Sequence, residues 1–295
     1  MKKITGAITA LVTPFTKSGK VDVSVLKKFT RFQLDGGIHG LVPCGSTGEA
    51  ATMDLEEHEL VVRTVVQEVK KRVPVIGGAG SNDTQKAIVL SKICKRSGVD
   101  ALLHVTPFYN KPTPAGLVAH FKAIADAVDM PIILYNVPGR TGSNVAPETI
   151  VTIAKKVPQV VGVKEASGSI PQMMEIIKGS SSDFTVLSGD DSIALPLISV
   201  GGDGCISVVS NETPKEFSEI IKSALDEDFK RARQLHYQLL DLMNVNFIES
   251  NPIPVKTALF MMGKIEESFR LPLVKMSDKN KEVLIQVLKK GRWIK

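Results

Sequence analysis

Short runs rich in Val, Ile and Leu recur along the chain. Each is followed by a Gly- or Pro-containing turn with polar residues, and then by a stretch whose apolar positions repeat with helical period. Eight such units can be counted, with the apolar runs at residues 7–12, 40–42, 73–76, 101–105, 132–134, 160–163, 185–187 and 205–208. Runs without polar alternation suit strands covered on both faces, as in a parallel sheet, and the intervening segments are long enough for crossover helices. Residues 55–71 read as one such helix, opened by Asp54 as N-cap with Glu57 three residues on, and residues 84–96 as another behind Asp83. Eight βα units close naturally, so the pattern predicts an α/β fold, a (β/α)8 TIM barrel, over residues 1–224. An open doubly wound sheet is the alternative, but its Gly-x-Gly-x-x-Gly phosphate turn is missing after the first run. Beyond Asn211 the pattern changes to helices without further strands, at 217–226, 229–247, 255–263 and 279–289. One of these completes the barrel. The rest form a C-terminal helical extension over residues 225–295, with no flexible linker, repeat or low-complexity segment between.

Composition narrows the class without changing this picture. The length of 295 residues slightly exceeds what a single barrel needs, and 43% hydrophobic with 23% charged residues excludes disorder and collagen-like structure. The formal charge, 37 basic minus 31 acidic residues, is +6. Much of the excess lies in Lys279, Lys281, Lys289, Lys290, Arg292 and Lys295, which read as a solvated helix face rather than a nucleic-acid surface. Anionic small substrates fit that balance. Cys44, Cys94 and Cys205 are odd in number and widely spaced, with neither a metal spacing nor a disulfide framework, which points to a reducing cytoplasm. Met1-Lys2-Lys3 and the apolar residues 4–15 resemble a short leader, but Thr5, Thr9 and Thr13 interrupt them, and a first buried strand fits better. No run approaches the roughly 18 apolar residues that cross a bilayer, so a soluble protein with no membrane partner is expected.

In a barrel the polar residues just after each strand share one rim, so those turns form a single list of site candidates. Thr13-Pro14-Phe15 follows the first strand, Gly45-Ser46-Thr47-Gly48-Glu49 the second and Thr106-Pro107-Phe108-Tyr109-Asn110 the fourth. Tyr135 to Gly142 follows the fifth, Lys164-Glu165-Ala166-Ser167-Gly168 ends the sixth, and Ser188-Gly189-Asp190-Asp191 ends the seventh. Lys164 is the most informative, because a lysine continuing a covered strand loses hydration and with it proton affinity, and a neutral amine forms imines with ketones. The alternative is a structural lysine, paired with an acid such as Glu165 or Asp190 or simply beginning the loop. Tyr135 ends another strand, where its phenol could relay protons alongside Thr47 and Tyr109, or could be a buried tyrosine with one satisfied hydrogen bond. The Gly45–Gly48 turn offers amides to a carboxylate or phosphate. Arg140, on a loop framed by Pro and Gly, could hold a carboxylate bidentately or form a surface ion pair. His39, His58, His104, His120 and His236 show no ligand spacing, and Gly-x-Ser-x-Gly is absent, so a reaction without metal or cofactor is expected rather than thiol or serine hydrolysis.

At these turns the chain resembles the dihydrodipicolinate synthase branch of the pyruvate-dependent class I aldolases, nearly end to end. The resemblance rests on Gly45-Ser46-Thr47-Gly48-Glu49, on Tyr135-Asn136-Val137-Pro138-Gly139-Arg140-Thr141-Gly142, on Val163-Lys164-Glu165-Ala166-Ser167-Gly168, and on Asn251-Pro252-Ile253-Pro254-Val255-Lys256. It implies that Lys164 forms a Schiff base with pyruvate, that Tyr135, Thr47 and Tyr109 relay protons, and that Ser46 and Thr47 hold the pyruvate carboxylate. It further implies that Arg140 holds the carboxylate of L-aspartate 4-semialdehyde, and that Ile206, through its carbonyl, and Gly189 line the substrate site. Tyr109 would reach into a neighbouring subunit, so a tight homodimer, commonly paired into a tetramer, is implied as well. Arg140 favours this branch over N-acetylneuraminate lyase or a 2-keto-3-deoxy sugar acid aldolase. Retention of Lys164, Tyr135, Tyr109 and Thr47 together argues against a non-catalytic barrel. One departure concerns regulation: lysine-inhibited members use polar side chains where this chain has Leu55, Lys86 and Phe108, although His58 and Asn82 are kept. Weak or absent feedback by lysine is therefore expected.

Overall fold

The apolar runs become strands and the segments between them helices, in a computed structural model that describes residues 3–295. In chain order the elements are β1 (Gly6–Ala10), α1 (Val23–Asp35), β2 (Gly40–Val42), α2 (Leu55–Val69), β3 (Ile76–Gly78), α3 (Thr84–Ser97), β4 (Ala101–Val105) and α4 (Pro114–Val128). They continue with β5 (Ile132–Asn136), α5 (Pro138–Thr141), α6 (Pro147–Lys156), β6 (Val160–Glu165), α7 (Ile170–Gly179), β7 (Thr185–Ser188), α8 (Ala194–Ser199) and β8 (Gly204–Ser207). The chain ends in α9 (Pro214–Leu225), α10 (Phe229–Val245), α11 (Ile253–Met261) and α12 (Asp278–Lys290). All ladders are parallel in the order β2-β1-β8-β7-β6-β5-β4-β3. The two outer strands meet through a bridge between Leu41 and Val75 and through Leu41 N–H to the Pro74 carbonyl at 3.1 Å, which draws the sheet into a barrel. Met1 and Lys2, the head of the leader reading, lie outside the described residues; β1 itself is buried throughout.

Local chemistry accounts for most element ends. The Asp54 carboxylate accepts from Glu57 N–H at 2.8 Å and that of Asp83 from Lys86 N–H at 2.7 Å, so both caps form as read. The reciprocal half of the capping box does not form: the Glu57 carboxylate instead receives the Arg270 guanidinium at 2.5 and 2.6 Å. A bidentate charged pair outweighs a single bond to a backbone amide. The third strand lies three residues later than the apolar run 73–76 suggests. It takes in Gly77 and Gly78, and a side chain at 78 would run into the Cys44 carbonyl of the neighbouring loop, so the position needs glycine.

The decisive irregularity is in β6. Ile132 pairs with Val160 but Ile133 with Gly162, so Val161 is one residue too many, a β-bulge. Strict alternation from the outward-facing Val160 would turn Lys164 toward the helices. The extra residue reverses the phase, placing Lys164 in register between Tyr135 and Leu187, both of the inner cluster, and sending Glu165 outward.

Inside the barrel Ile8, Val42, Ile76, Leu103, Ile133 and Ile206 fill the lumen below the rim, and a larger apolar shell lies between strands and helices. The helices beyond β8 are fastened back onto the barrel by a buried ionic group. Lys256 Nζ pairs with the Glu49 carboxylate, donates to the Ser268 carbonyl at 2.7 Å and lies 4.4 Å from the centroid of the Phe15 ring. Burial pulls the Lys256 ammonium below its ordinary value, an effect that Glu49 opposes. Burial also holds all five imidazoles below their usual value, His104 down to about 3, so these side chains are neutral parts of the packing.

Candidate active site

The C-terminal ends of the strands gather the rim turns. The turn after β2 is tight: Gly48 N–H donates to the Gly45 carbonyl at 3.1 Å, Glu49 N–H to the Ser46 carbonyl at 3.1 Å, and Thr13 Oγ1 to the Gly48 carbonyl at 2.8 Å. Glu49 holds a left-handed backbone, φ 56°, which turns its carboxylate down to Lys256. Among the described residues the amides of Ser46 and Thr47 meet no acceptor. Two adjacent free N–H groups on a tight turn are a chemistry suited to a small carboxylate. Ser46 is exposed and Thr47 buried.

Lys164 is 5% exposed, and its Nζ lies 4.3 Å from the centroid of the Tyr135 ring. Among the described residues no carboxylate pairs with it, so an ion pair with Glu165 or Asp190 does not form. Glu165 faces the other way and accepts from Asn136 Nδ2 at 3.0 and 3.1 Å, Ser167 N–H at 2.7 Å and Gln172 Nε2 at 3.2 Å. Asp190 is occupied by Ser192 N–H and Oγ, each at 2.9 Å. The Asn136–Glu165 bonds tie β5 to β6 one residue beyond Tyr135 and Lys164, so the phenol and the amine are fixed relative to each other.

Gly189 lies against the stem of this lysine. A Cβ there would meet the Ala166 Cβ at 2.6 Å and the Lys164 Cε at 3.0 Å. Gly189→Ala should therefore displace the amine and lower turnover roughly 10- to 100-fold with the fold intact, read from steady-state rates and a thermal unfolding curve. Unchanged turnover in the alanine variant would refute this packing role.

The turn after β5, read as a loop, is a single helical turn. Pro138 presets its first residue, and Gly142, at φ 73°, closes it with N–H to the Pro138 carbonyl at 3.0 Å. It presents Arg140 at the surface, where Nη2 donates to the backbone carbonyl of Asn251 at 3.0 Å. The surface ion pair held open for Arg140 does not form among the described residues, and its remaining donors are free. Ile206, in β8, faces the lumen beside Ile8. Tyr109 stands apart: it is 90% exposed, in a left-handed conformation with φ 71°, on a loop pinned by Asn110 Nδ2 to the Asn82 carbonyl at 2.8 Å. Thus one chain brings together Lys164, Tyr135 and Gly189, with Ser46, Thr47 and Arg140 on the same rim, and leaves Tyr109 projecting into solvent.

Sequence reasoning gave no role to Asn251, whose Nδ2 donates to Thr47 Oγ1 at 2.9 Å. Its motif was legible, but nothing in the sequence shows that a residue in the C-terminal helices returns to the rim. The cysteines are buried and unpaired, and burial raises each thiol, that of Cys94 to about 12, so they are not nucleophiles. Among the described residues no three His, Cys, Asp or Glu side chains converge as metal ligands, and no helix is long and apolar enough to cross a membrane.

Comparison with known proteins agrees with this architecture. A model of the dihydrodipicolinate synthetase family matches residues 3–291. A 4-hydroxy-tetrahydrodipicolinate synthase from Maridesulfovibrio salexigens is 55% identical over 284 residues, covering 96% of this chain and 97% of the relative. The enzyme of the same name from Thermodesulfovibrio yellowstonii is 50% identical over 290 residues, covering 98% and 99%. The crystal structure of dihydrodipicolinate synthase from Aquifex aeolicus superposes with a TM-score of 0.96 at 45% identity, covering 98% of each chain.

Proposed function

The chain belongs to the dihydrodipicolinate synthetase family, and from that premise we propose how its own residues carry the condensation of pyruvate with L-aspartate 4-semialdehyde, the reaction of its relatives. The Lys164 amine adds to the pyruvate ketone and expels water as a Schiff base. Loss of a methyl proton then gives the enamine. The enamine carbon attacks the aldehyde, forming the new C–C bond, and the amino group of the second substrate displaces Lys164 by transimination as the ring closes. The observation that supports this reading above others is a buried amine with no acid partner, lying across the ring of Tyr135 at the barrel mouth. Ser46 and Thr47 offer the pyruvate carboxylate their unbonded amides. Tyr135 and Thr47 carry protons to and from the developing oxygen and nitrogen centres. Gly189 and Ile206 line the walls. Each step is acid–base and imine chemistry, which the side chains named supply among themselves.

Tyr109 enters this scheme from a second copy of the chain. Its exposure and its left-handed backbone, a conformation that costs a tyrosine about 1 kcal/mol or more, support a residue held outward for a partner. A homodimer is therefore the smallest complete enzyme, with tetramers formed by pairing dimers. The buried, unpaired cysteines support a reducing compartment such as the cytoplasm.

Borohydride reduction in the presence of pyruvate tests the central step, with a mass gain on the peptide holding Lys164 as the expected result. Absence of any adduct there would refute the scheme. Arg140→Ala separates the two substrates. It should raise the KM for the aldehyde roughly 10- to 100-fold, the loss of a charge-assisted contact, while the pyruvate adduct forms as before. Loss of the pyruvate adduct instead would move Arg140 to the first half-reaction. This measurement also weighs against a sugar-acid lyase, whose second substrate lacks the carboxylate that Arg140 is proposed to hold. With Leu55 and Phe108 apolar and Lys86 cationic, L-lysine at sub-millimolar concentration should leave the rate unchanged, as a simple inhibition titration would show.

A further inference from the structure

We propose that Glu212 is a neutral carboxylic acid closed against the Asn246 carboxamide by two hydrogen bonds, a proton-dependent clasp between the barrel and its C-terminal helices. Glu212 follows the short helical turn after β8, and Asn246 caps the C-terminal end of α10, 34 residues on. Both are buried, with exposures of 2% and 0%. Asn246 Nδ2 donates to Glu212 Oε2 at 2.6 Å. The other oxygen of each group, Glu212 Oε1 and Asn246 Oδ1, is buried without a partner among the described residues. As a carboxylate beside an amide, the pair leaves two acceptors orphaned, and each such orphan costs free energy. One proton removes both defects. Placed on Oε1 it makes that atom a donor, and a small turn of either end group brings it to Oδ1 while Nδ2 keeps Oε2.

The surroundings favour the proton. Burial holds the Glu212 carboxyl well above its ordinary range, and the like charge of Asp191, on the loop between β7 and α8, adds to this, while the bond from Asn246 opposes it. Asp191 itself accepts from Val208 and Val209 N–H at 3.1 and 2.8 Å, bonds that suit its charged form, so of the two acids Glu212 is the one that keeps its proton. Among the described residues no cation answers Glu212: the charged side chains of α9 and α10 are exposed, His236 of α10 is neutral, and Lys256 of α11 is held by Glu49. The folded chain thus keeps a proton that the unfolded chain releases. The stability it contributes is complete below the ordinary glutamate range and is lost as pH rises through the raised value in the fold. Ionisation there leaves two acceptors facing each other around a buried charge, and the clasp opens.

The test is denaturant unfolding of the intact protein at fixed concentration, near about pH 5 and about pH 8, for wild type, Glu212→Gln and Asn246→Leu. Glutamine carries a fixed donor where the acid carries its proton, so it keeps both bonds with no proton to hold. We expect Glu212→Gln to fold, to match wild type within about tenfold in the unfolding equilibrium constant at the lower pH, and to be the more stable by at least about a hundredfold at the higher. Asn246→Leu, which leaves the acid with neither bond, should raise that constant about tenfold or more at both pH values, and adding Glu212→Leu should recover most of the loss. An infrared difference spectrum, wild type minus Glu212→Gln at the higher pH, should show the C=O stretch of a protonated carboxyl. A gap between wild type and Glu212→Gln that is the same at both pH values, a carboxylate band in the spectrum, a Glu212→Gln chain that does not fold, or an Asn246→Leu chain as stable as wild type overturns the proposal. Should Asn246→Leu fail to fold, the glutamine comparison and the spectrum decide. None of these readouts depends on the catalytic reading of Lys164.

Discussion

Lys164→Ala is expected to lower kcat roughly 10⁴-fold or more and to abolish the borohydride adduct with pyruvate, while leaving the fold intact. The size follows from chemistry rather than from contact energy. In the proposed scheme this amine gives the covalent electron sink, and without it the methyl group of pyruvate must be deprotonated against the full barrier. The fold should survive because Lys164 makes no ion pair or hydrogen bond among the described residues, and it lies against Gly189 and the Tyr135 ring at the barrel mouth. Steady-state assay, intact-protein mass spectrometry and a thermal melt read the three parts separately. A variant retaining a tenth of the wild-type rate would mean that carbon–carbon bond formation does not pass through this nitrogen.

The largest stability effect is expected at the other buried lysine. Lys256→Met should destabilise the chain by about 3–5 kcal/mol, because it leaves the Glu49 carboxylate buried without its counter-charge. Side-chain exposures of 0% and 1% put both ends of the pair out of reach of water, so solvent cannot take over. For a chain of this length the thermal midpoint should fall on the order of 10 °C. Adding Glu49→Gln should recover part of the loss, since the uncompensated charge then disappears and the cost reduces to hydrogen bonds and packing. Function should suffer too, because Glu49 closes the turn that carries Ser46 and Thr47, so the KM for pyruvate should rise in both variants. A midpoint within about 2 °C of wild type for Lys256→Met would show that the pair is not what fastens the C-terminal helices to the rim.

The two lysines mark what sequence reasoning reaches and where it stops. Lys164 was legible because a charged residue continuing an apolar run is chemically conspicuous, and because the residues around it resemble a known family. Lys256 sat in a motif just as visible, yet its partner is 207 residues away, and no local pattern names it. The barrel itself came from periodicity: short unalternating runs separated by helical stretches of crossover length permit few architectures. Caps at Asp54 and Asp83 were readable for the same reason, being contacts over three residues, whereas the diversion of Glu57 to Arg270 was not.

What the chain determined by itself, then, is the number and order of its βα units, the class of its chemistry and the candidate residues for it, because these are written in local composition and spacing. Tertiary structure decided which way those residues face and what holds them. The bulge at Val161 turns Lys164 into the lumen and Glu165 out of it, a one-residue phase that Val160-Val161-Gly162-Val163 does not reveal, since apolar side chains suit both faces of a covered strand. Closure of the barrel and the return of the C-terminal helices then set Asn251 on Thr47 and Arg140, and Lys256 under Glu49. Such contacts exist only when distant segments have been brought together, and their energies depend on burial that no stretch of the sequence carries alone.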